Sequence, residues 1–208
     1  MNTTTTDEYW DQFYAKTSSG QAQKPSDFAN CVNRKVQGMG QLIEFGCGSG
    51  QDVRLLGGGA KRFWAIDQSA IAISFCKKMD QKGEYFVGDL NALEEVLNGV
   101  VAVTEKTLLY SRFVMHAMSK KDQDRFIHIA GNNQIEDLTI ALEYRVLGDE
   151  KLHKVYPDHQ RHYVDHVQLV NKIEGLGFVL SMSVQAQGLS RFKNEDPLLG
   201  RLIASRNL

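Results

Sequence analysis

The 208-residue chain predicts an α/β fold, a mostly parallel sheet with helices on both faces and an antiparallel C-terminal ending. Three observations predict it. Short apolar runs alternate with amphipathic stretches from residue 41 to residue 144. A glycine-dense turn, EFGCGSGQD, follows the first of those runs. The last two apolar runs are joined by a loop with no room for a helix. Strands that alternate with helices make right-handed crossovers and therefore a parallel sheet. Two strands joined without a crossover pair antiparallel.

Residues 1–37 hold two helix candidates, DEYWDQFYAK and PSDFANCVNRKVQG, placed to cap the sheet. Residues 38–208 are the core of what reads as one domain spanning 1–208. QLIEFG (41–46), RFWAID (62–67) and EYFVGD (84–89) are the first three strands. TLLYS (107–111) and LTIALEY (138–144) are the fourth and fifth. Between them, SAIAISFCKKMDQKG opens on Ser69 and closes on Gly83, a helix with a cap residue at each end, and a second helix opens on Ser119. In DHVQLVNKIEGLGF, Val167, Val170, Ile173 and Leu176 share one helical face. Phe178, Leu180, Met182, Val184 and Ala186 then alternate strictly, which is a strand with one buried face. LLGRLIASR is the last strand, giving seven.

Composition excludes several classes. The chain is 42% apolar and 24% charged with a net charge of −1, so no global field attracts nucleic acid. No apolar run approaches the roughly 20 residues of a membrane span. The polar start MNTTTTDEYW lacks the apolar core of a secretory signal, which points to the cytoplasm. Cys31, Cys47 and Cys76 sit at no metal-ligand spacing, so no metal is expected and the thiols read as reduced.

In open α/β sheets, ligands bind beyond the carboxyl ends of the strands. Gly46, Gly48 and Gly50 form that turn as G-x-G-x-G. A dinucleotide fingerprint places its third glycine at position 51, where this chain has Gln51. Glu44 precedes the turn. Asp67 ends the second strand 17 residues past Gly50, near the spacing at which a carboxylate accepts ribose hydroxyls. Asp89 ends the third strand, where it can accept an adenine amino group. With acidic residues and no Walker lysine, the site suits a nucleoside cofactor without phosphates.

These pieces resemble class I S-adenosylmethionine-dependent methyltransferases, whose fold is a Rossmann-like seven-stranded sheet. EFGCGSGQD is similar to the methionine-binding loop of that superfamily, AIDQS to its ribose segment, GDL to its adenine segment and YSRFVMHAM to its segment after the fourth strand. The resemblance implies S-adenosylmethionine as cofactor. It assigns the cofactor to Glu44, Gly46, Gly48, Gly50, Asp67, Gln68, Asp89, Leu90, Ser111 and His116.

Methyl transfer needs the acceptor lone pair aligned with the methyl carbon. A hydroxyl acceptor benefits from a general base, whereas an anionic oxygen needs only positioning by cations. The loop YRVLGDEKLHKVYPDHQRHYVD is crowded with basic groups, and the loop between the last strands adds Arg191 and Lys193. Arginine grips an oxyanion with a two-pronged fork, which makes Arg161 and Arg191 the acceptor cations, with His159 assisting and Tyr14 closing over the methyl. The segments YWDQFYAK…PSDFA, DHQRHYVD and GLSRFKNEDPLLGRLIA are similar to small bacterial methyltransferases of phosphonate and surface-polysaccharide pathways. That narrower resemblance implies an anionic small molecule or glycan end as acceptor, although His162 stands where the group's pattern has arginine and Arg191 where it has lysine. The competing expectations are a hydroxyl acceptor with His116 or His159 as base, a nucleic-acid or protein methyltransferase, and a non-catalytic cofactor-binding protein. The nucleic-acid reading lacks the Asn-Pro-Pro-aromatic segment after the fourth strand.

Overall fold

The computed structural model describes residues 6–17, 24–36, 38–157 and 159–208. The parts of the N-terminal cap at 1–5, 18–23 and 37, and position 158 of the long basic loop, lie outside the described residues.

Seven strands form one sheet: β1 (Gln41–Phe45), β2 (Arg62–Asp67), β3 (Glu84–Val87), β4 (Thr107–Arg112), β5 (Asp137–Arg145), β6 (Val179–Ala186) and β7 (Leu199–Asn207). Their order across the sheet is β3-β2-β1-β4-β5-β7-β6. The first five are parallel, while β7 runs antiparallel to both β5 and β6, as the missing helix between the last two strands requires. The chain reverses direction across the sheet between β1 and β4. In open α/β sheets such a switch point is where a ligand crevice forms, here at the carboxyl end of β1.

Seven α-helices accompany the strands among the described residues: α1 (Thr6–Thr17), α2 (Asp27–Lys35), α3 (Val53–Gly57), α4 (Ala70–Met79), α5 (Leu90–Glu95), α6 (Lys120–Gly131) and α7 (His166–Gly175). Their starts are written in the sequence. Ser26, Ser69, Asp89, Ser119 and Asp165 each accept a backbone N–H of the first turn of the helix they precede. α4 ends at Met79, four residues before the expected Gly83, because the chain turns extended at Asp80.

The sheet separates two apolar layers. Phe28 and Val32 of α2, Leu56 of α3 and Ile73 of α4 cover one face with Leu42 and Leu108. Leu93 of α5, Phe126 of α6 and Ile173 of α7 cover the other with Ile43 and Leu109. Each of these side chains is at most 2% exposed, and each contributes about 1.5–3 kcal/mol by leaving water. β1, β4 and β5 lie in the middle of this sandwich, which is why their sequences read as near-continuous apolar runs. β6 is an edge strand with alternating exposure, as its period-two pattern predicts.

Candidate functional site

The turn after β1 is shaped by three glycines in the left-handed region, with φ of +77° at Gly46, +52° at Gly48 and +80° at Gly50. Gly46 and Cys47 donate their N–H groups to the Ile66 carbonyl at 2.7 and 3.1 Å, tying the turn to the end of β2. A β-carbon on Gly48 would stand 2.5 Å from Tyr14 Oη. The buried thiol of Cys76 donates to the Gly48 carbonyl at 3.2 Å, and Cys47 lies buried in the turn as a small filler.

Asp67 ends β2 and is 8% exposed. One of its carboxylate oxygens accepts the Gly48 N–H at 2.8 Å, and the other accepts the Ser69 N–H at 2.9 Å. Burial raises its pKa against the pull of these two bonds. The Ser69 hydroxyl donates to Asp11 at 2.6 Å, and the Ile71 N–H reaches the same Asp11 oxygen at 3.2 Å. A carboxylate of α1 therefore completes the N-terminus of α4 beside Asp67. The Tyr14 phenol of the same helix is held well above its ordinary pKa by burial and then by the Asp67 charge, so it stays protonated.

Glu44 is 3% exposed, and its Oε2 has no hydrogen-bond partner among the described residues. Burial, and after it the charge of Asp52, pushes its pKa well up. That oxygen has hydrogen-bonding capacity left for a donor. Asp89 is exposed and caps α5, accepting from the Asn91 N–H and side-chain amide at 2.8 and 3.0 Å. Leu90 beside it is buried and Gln68 half-buried. Ser111 is committed to the fold, donating to the Phe45 carbonyl at 2.8 Å.

The other side of the crevice is aromatic and basic. His159 stacks on Tyr9 at 5.3 Å, meets Trp10 edge-on at 4.9 Å and lies 6.3 Å from His116. His116 is buried and its Nδ1 accepts the Arg145 N–H at 3.3 Å, which leaves the proton of the neutral ring on Nε2. Burial, followed by the charge of Arg145, holds His116 well below its ordinary pKa. Burial and then Arg161 and Arg145 bring His159 down to about 4. Both imidazoles are neutral at pH 7.

Arg161 donates to the His159 and Tyr156 carbonyls at 2.8 and 2.7 Å, and its buried Nε has no partner among the described residues. Its pKa is lowered, chiefly by burial and then by Arg145. Arg191 differs. Its side chain is 74% exposed and bonds to Asp196 of its own hairpin at 3.1 Å. The structure thus gathers Tyr14, Gly48 and Asp67 at one end of the crevice and His116, His159 and Arg161 at the other, bridged by α1. Asp89 is engaged in capping, and among the described residues Arg191 bonds to Asp196 and to none of the other site residues.

Sequence reading did not single out the polar network beneath the crevice. Asp52 is 1% exposed and accepts from Ser26 N–H at 2.7 Å, Ser26 Oγ at 2.9 Å, Tyr110 Oη at 2.8 Å and Arg112 Nε at 2.9 Å. Arg112 also donates to Gln51 at 2.7 Å and lies 3.6 Å from Glu143, which in turn binds Arg201 at 2.5 Å. Gln51, standing where a dinucleotide fingerprint has glycine, is thereby a strut between α2's approach and β4. Phe113, directly after Arg112, has φ +61° and carries the guanidinium over its ring at 4.8 Å. The sequence signal was a charged residue at the carboxyl end of an apolar strand, at Arg112, Glu143 and Arg145.

No protein-family model matches the chain, and no curated protein matches its sequence. Solved structures do match. An S-adenosylmethionine-dependent methyltransferase from Anabaena variabilis ATCC 29413 superposes with a TM-score of 0.73 at 13% identity, over 98% of this chain and 96% of that one. A Haloferax volcanii putative methyltransferase, solved in complex with the Trm112 activator, gives 0.68 at 11% identity over 99% and 100%. Magnesium protoporphyrin IX methyltransferase from Synechocystis PCC 6803, solved with bound SAH, gives 0.62 at 11% identity over 100% and 90%. The chain has the Rossmann-like fold of these methyltransferases.

Proposed function

We propose that the protein is an S-adenosylmethionine-dependent methyltransferase acting on an anionic oxygen of a small molecule or glycan end. The observation that carries the cofactor assignment is the buried, unpartnered Oε2 of Glu44 beside a glycine turn that Asp67 closes. The residues fit the group. Glu44 meets an ammonium group, the backbone around Gly46, Gly48 and Gly50 admits the methionine portion, and Asp67 accepts ribose hydroxyls. Gln68 and Leu90 line the same strand ends, and Asp89 serves an adenine amino group. When bound, the cofactor supplies a methyl group on a sulfonium sulfur.

The chain's own residues then align the acceptor. Arg161 has no carboxylate partner among the described residues, whereas Arg145 is paired with Asp149 at 2.9 Å and Glu195 at 2.5 Å. The Arg161 guanidinium is the cation offered to an oxyanion, through the Nη hydrogens that its two carbonyl bonds leave over, with neutral His159 and protonated Tyr14 as further donors. The likeness of DHQRHYVD and its companion segments to methyltransferases of phosphonate and surface-polysaccharide pathways supports an anionic acceptor. Arg191, exposed and paired, enters this reading only if its hairpin bends towards the crevice.

The test is calorimetric binding of S-adenosylmethionine and S-adenosylhomocysteine, followed by transfer of radiolabelled methyl to a panel of phosphates, phosphonates and carboxylates. Cofactor binding with label on an acidic compound supports the proposal. Label on a neutral alcohol, lost in His159→Gln and kept in Arg161→Met, replaces it with a base-assisted hydroxyl methyltransferase.

A further inference from the structure

An aromatic row leads out of the crevice. It begins at Tyr14, which lies over Gly48, and passes to Phe13 at 5.3 Å. Phe13 meets Tyr156 edge-on at 5.5 Å, and Tyr156 stacks on Phe192 at 6.2 Å. The four rings come from α1, from the loop after β5 and from the β6–β7 hairpin. Tyr156 is 37% and Phe192 48% exposed. That pair is the exposed outer end of a row that starts over the glycine turn.

Cations flank the outer rings. Lys193 Nζ stands 5.2 Å from the Phe192 ring centre and 5.9 Å from that of Tyr156. Arg161 lies against the Tyr156 backbone, and its buried Nε–H has no partner among the described residues. Among the described residues, the nearby carboxylates are already engaged: Asp149 and Glu195 by Arg145, and Asp196 by Arg191. A saccharide would require acceptors for its hydroxyls. Here the chemistry on offer is ring faces and the Arg161 guanidinium N–H groups that have no partner among the described residues.

We infer that Tyr156 and Phe192 form the acceptor subsite and that the acceptor is a planar aromatic ring carrying one negative charge. The ring lies on the Tyr156–Phe192 pair and the acidic group sits at Arg161. This rests on the proposed methyltransferase reading and narrows it. A planar ring stacks on exposed aromatic faces, and a charge-assisted bond to Arg161 holds the acidic group.

The experiment uses the full chain loaded with S-adenosylhomocysteine and 2-naphthoate as probe, read by tryptophan fluorescence and by calorimetry. 2-Naphthamide serves as the neutral control, cyclohexanecarboxylate as the non-planar acid and methyl glucuronide as the sugar acid. The expected result is binding of 2-naphthoate at least tenfold tighter than each control. Phe192→Ala should lose about tenfold, and Arg161→Met should abolish the preference of naphthoate over naphthamide. Equal binding of naphthoate and naphthamide, tighter binding of the glucuronide, or an unchanged Phe192→Ala variant overturns the inference. Phe192 is exposed, so its removal leaves folding intact, which a melt verifies. If S-adenosylhomocysteine itself fails to bind, the methyltransferase reading falls. If it binds and naphthoate does not, only the subsite inference falls.

Discussion

The hydroxyl of Tyr14 lies 2.5 Å from the point where a β-carbon on Gly48 would stand. The two residues come from opposite sides of the first strand, one from the capping helix and one from the turn. Their contact makes α1 part of the crevice rather than a decoration on it. It also explains why Gly48 has no side chain, since its φ of +52° costs any other residue roughly 1–2 kcal/mol before the clash is counted. Gly48→Val is expected to abolish S-adenosylhomocysteine binding while keeping a cooperative melt. Gly48→Ala should bind weakly, and adding Tyr14→Phe should recover part of the loss by removing the closest atom. Calorimetry on the three variants checks this, and normal binding by Gly48→Val would mean that nothing approaches the turn.

Glu44 gives a pH prediction. Its folded-state pKa lies above its unfolded value, so its contribution to stability is full below about 4.5, the unfolded value, and is lost as pH rises through the folded value. The Glu44→Gln variant without ligand should therefore be more stable than the parent at neutral pH. A bound ammonium group reverses the preference and favours the carboxylate. Cofactor binding at neutral pH should release protons, detected by calorimetry in buffers of different ionisation enthalpy, and Glu44→Gln should remove that release.

Asp67 holds Gly48 and Ser69 with its two oxygens, and in the proposed reading it also accepts the ribose hydroxyls. Asp67→Ala should lower the melting temperature and weaken S-adenosylhomocysteine by about 5- to 150-fold, the equivalent of roughly 1–3 kcal/mol. A variant that melts lower yet binds normally would confine Asp67 to the structural duty.

His159 should titrate at about 4. Between that value and an unfolded value of about 6.5, the unfolded chain binds more protons, so stability falls as pH drops through this window. Histidine side-chain nitrogen shifts measured by NMR from pH 8 to 4 check the titration. For an anionic acceptor the rate should stay flat from pH 8 to 5 and survive His159→Gln. A base role for His159 predicts a fall only near pH 4, together with loss of turnover in that variant.

Arg112 joins Asp52 and Glu143, which are 1% and 0% exposed. Removing one partner of a buried pair leaves a charge without compensation. Arg112→Met should destabilise the protein by about 3–5 kcal/mol, and denaturant unfolding measures it. A loss below about 1 kcal/mol would place the network in water rather than in the interior.

By itself the sequence determined the strand and helix alternation, the antiparallel ending, the glycine turn and the acidic residues at the ends of β1, β2 and β3. These features are local. An apolar run, a capping serine or a G-x-G-x-G turn expresses its physics within a few residues. The three-dimensional fold decided which of those groups are spare. Among the described residues the buried Oε2 of Glu44 has no partner, whereas Asp89 already accepts two bonds from Asn91. Arg161 and Arg191 look equivalent in a sequence of scattered charges. Among the described residues, folding gives Arg161 the His159 and Tyr156 carbonyls and no carboxylate ion pair, and gives Arg191 to Asp196, five residues along its hairpin. The Asp52–Arg112 bond joins residues 60 apart in sequence, and the Tyr14–Phe13–Tyr156–Phe192 row spans almost the whole chain. Contacts of that separation leave no periodicity to read, because the energy of a charge or an exposed ring depends on what the fold sets beside it.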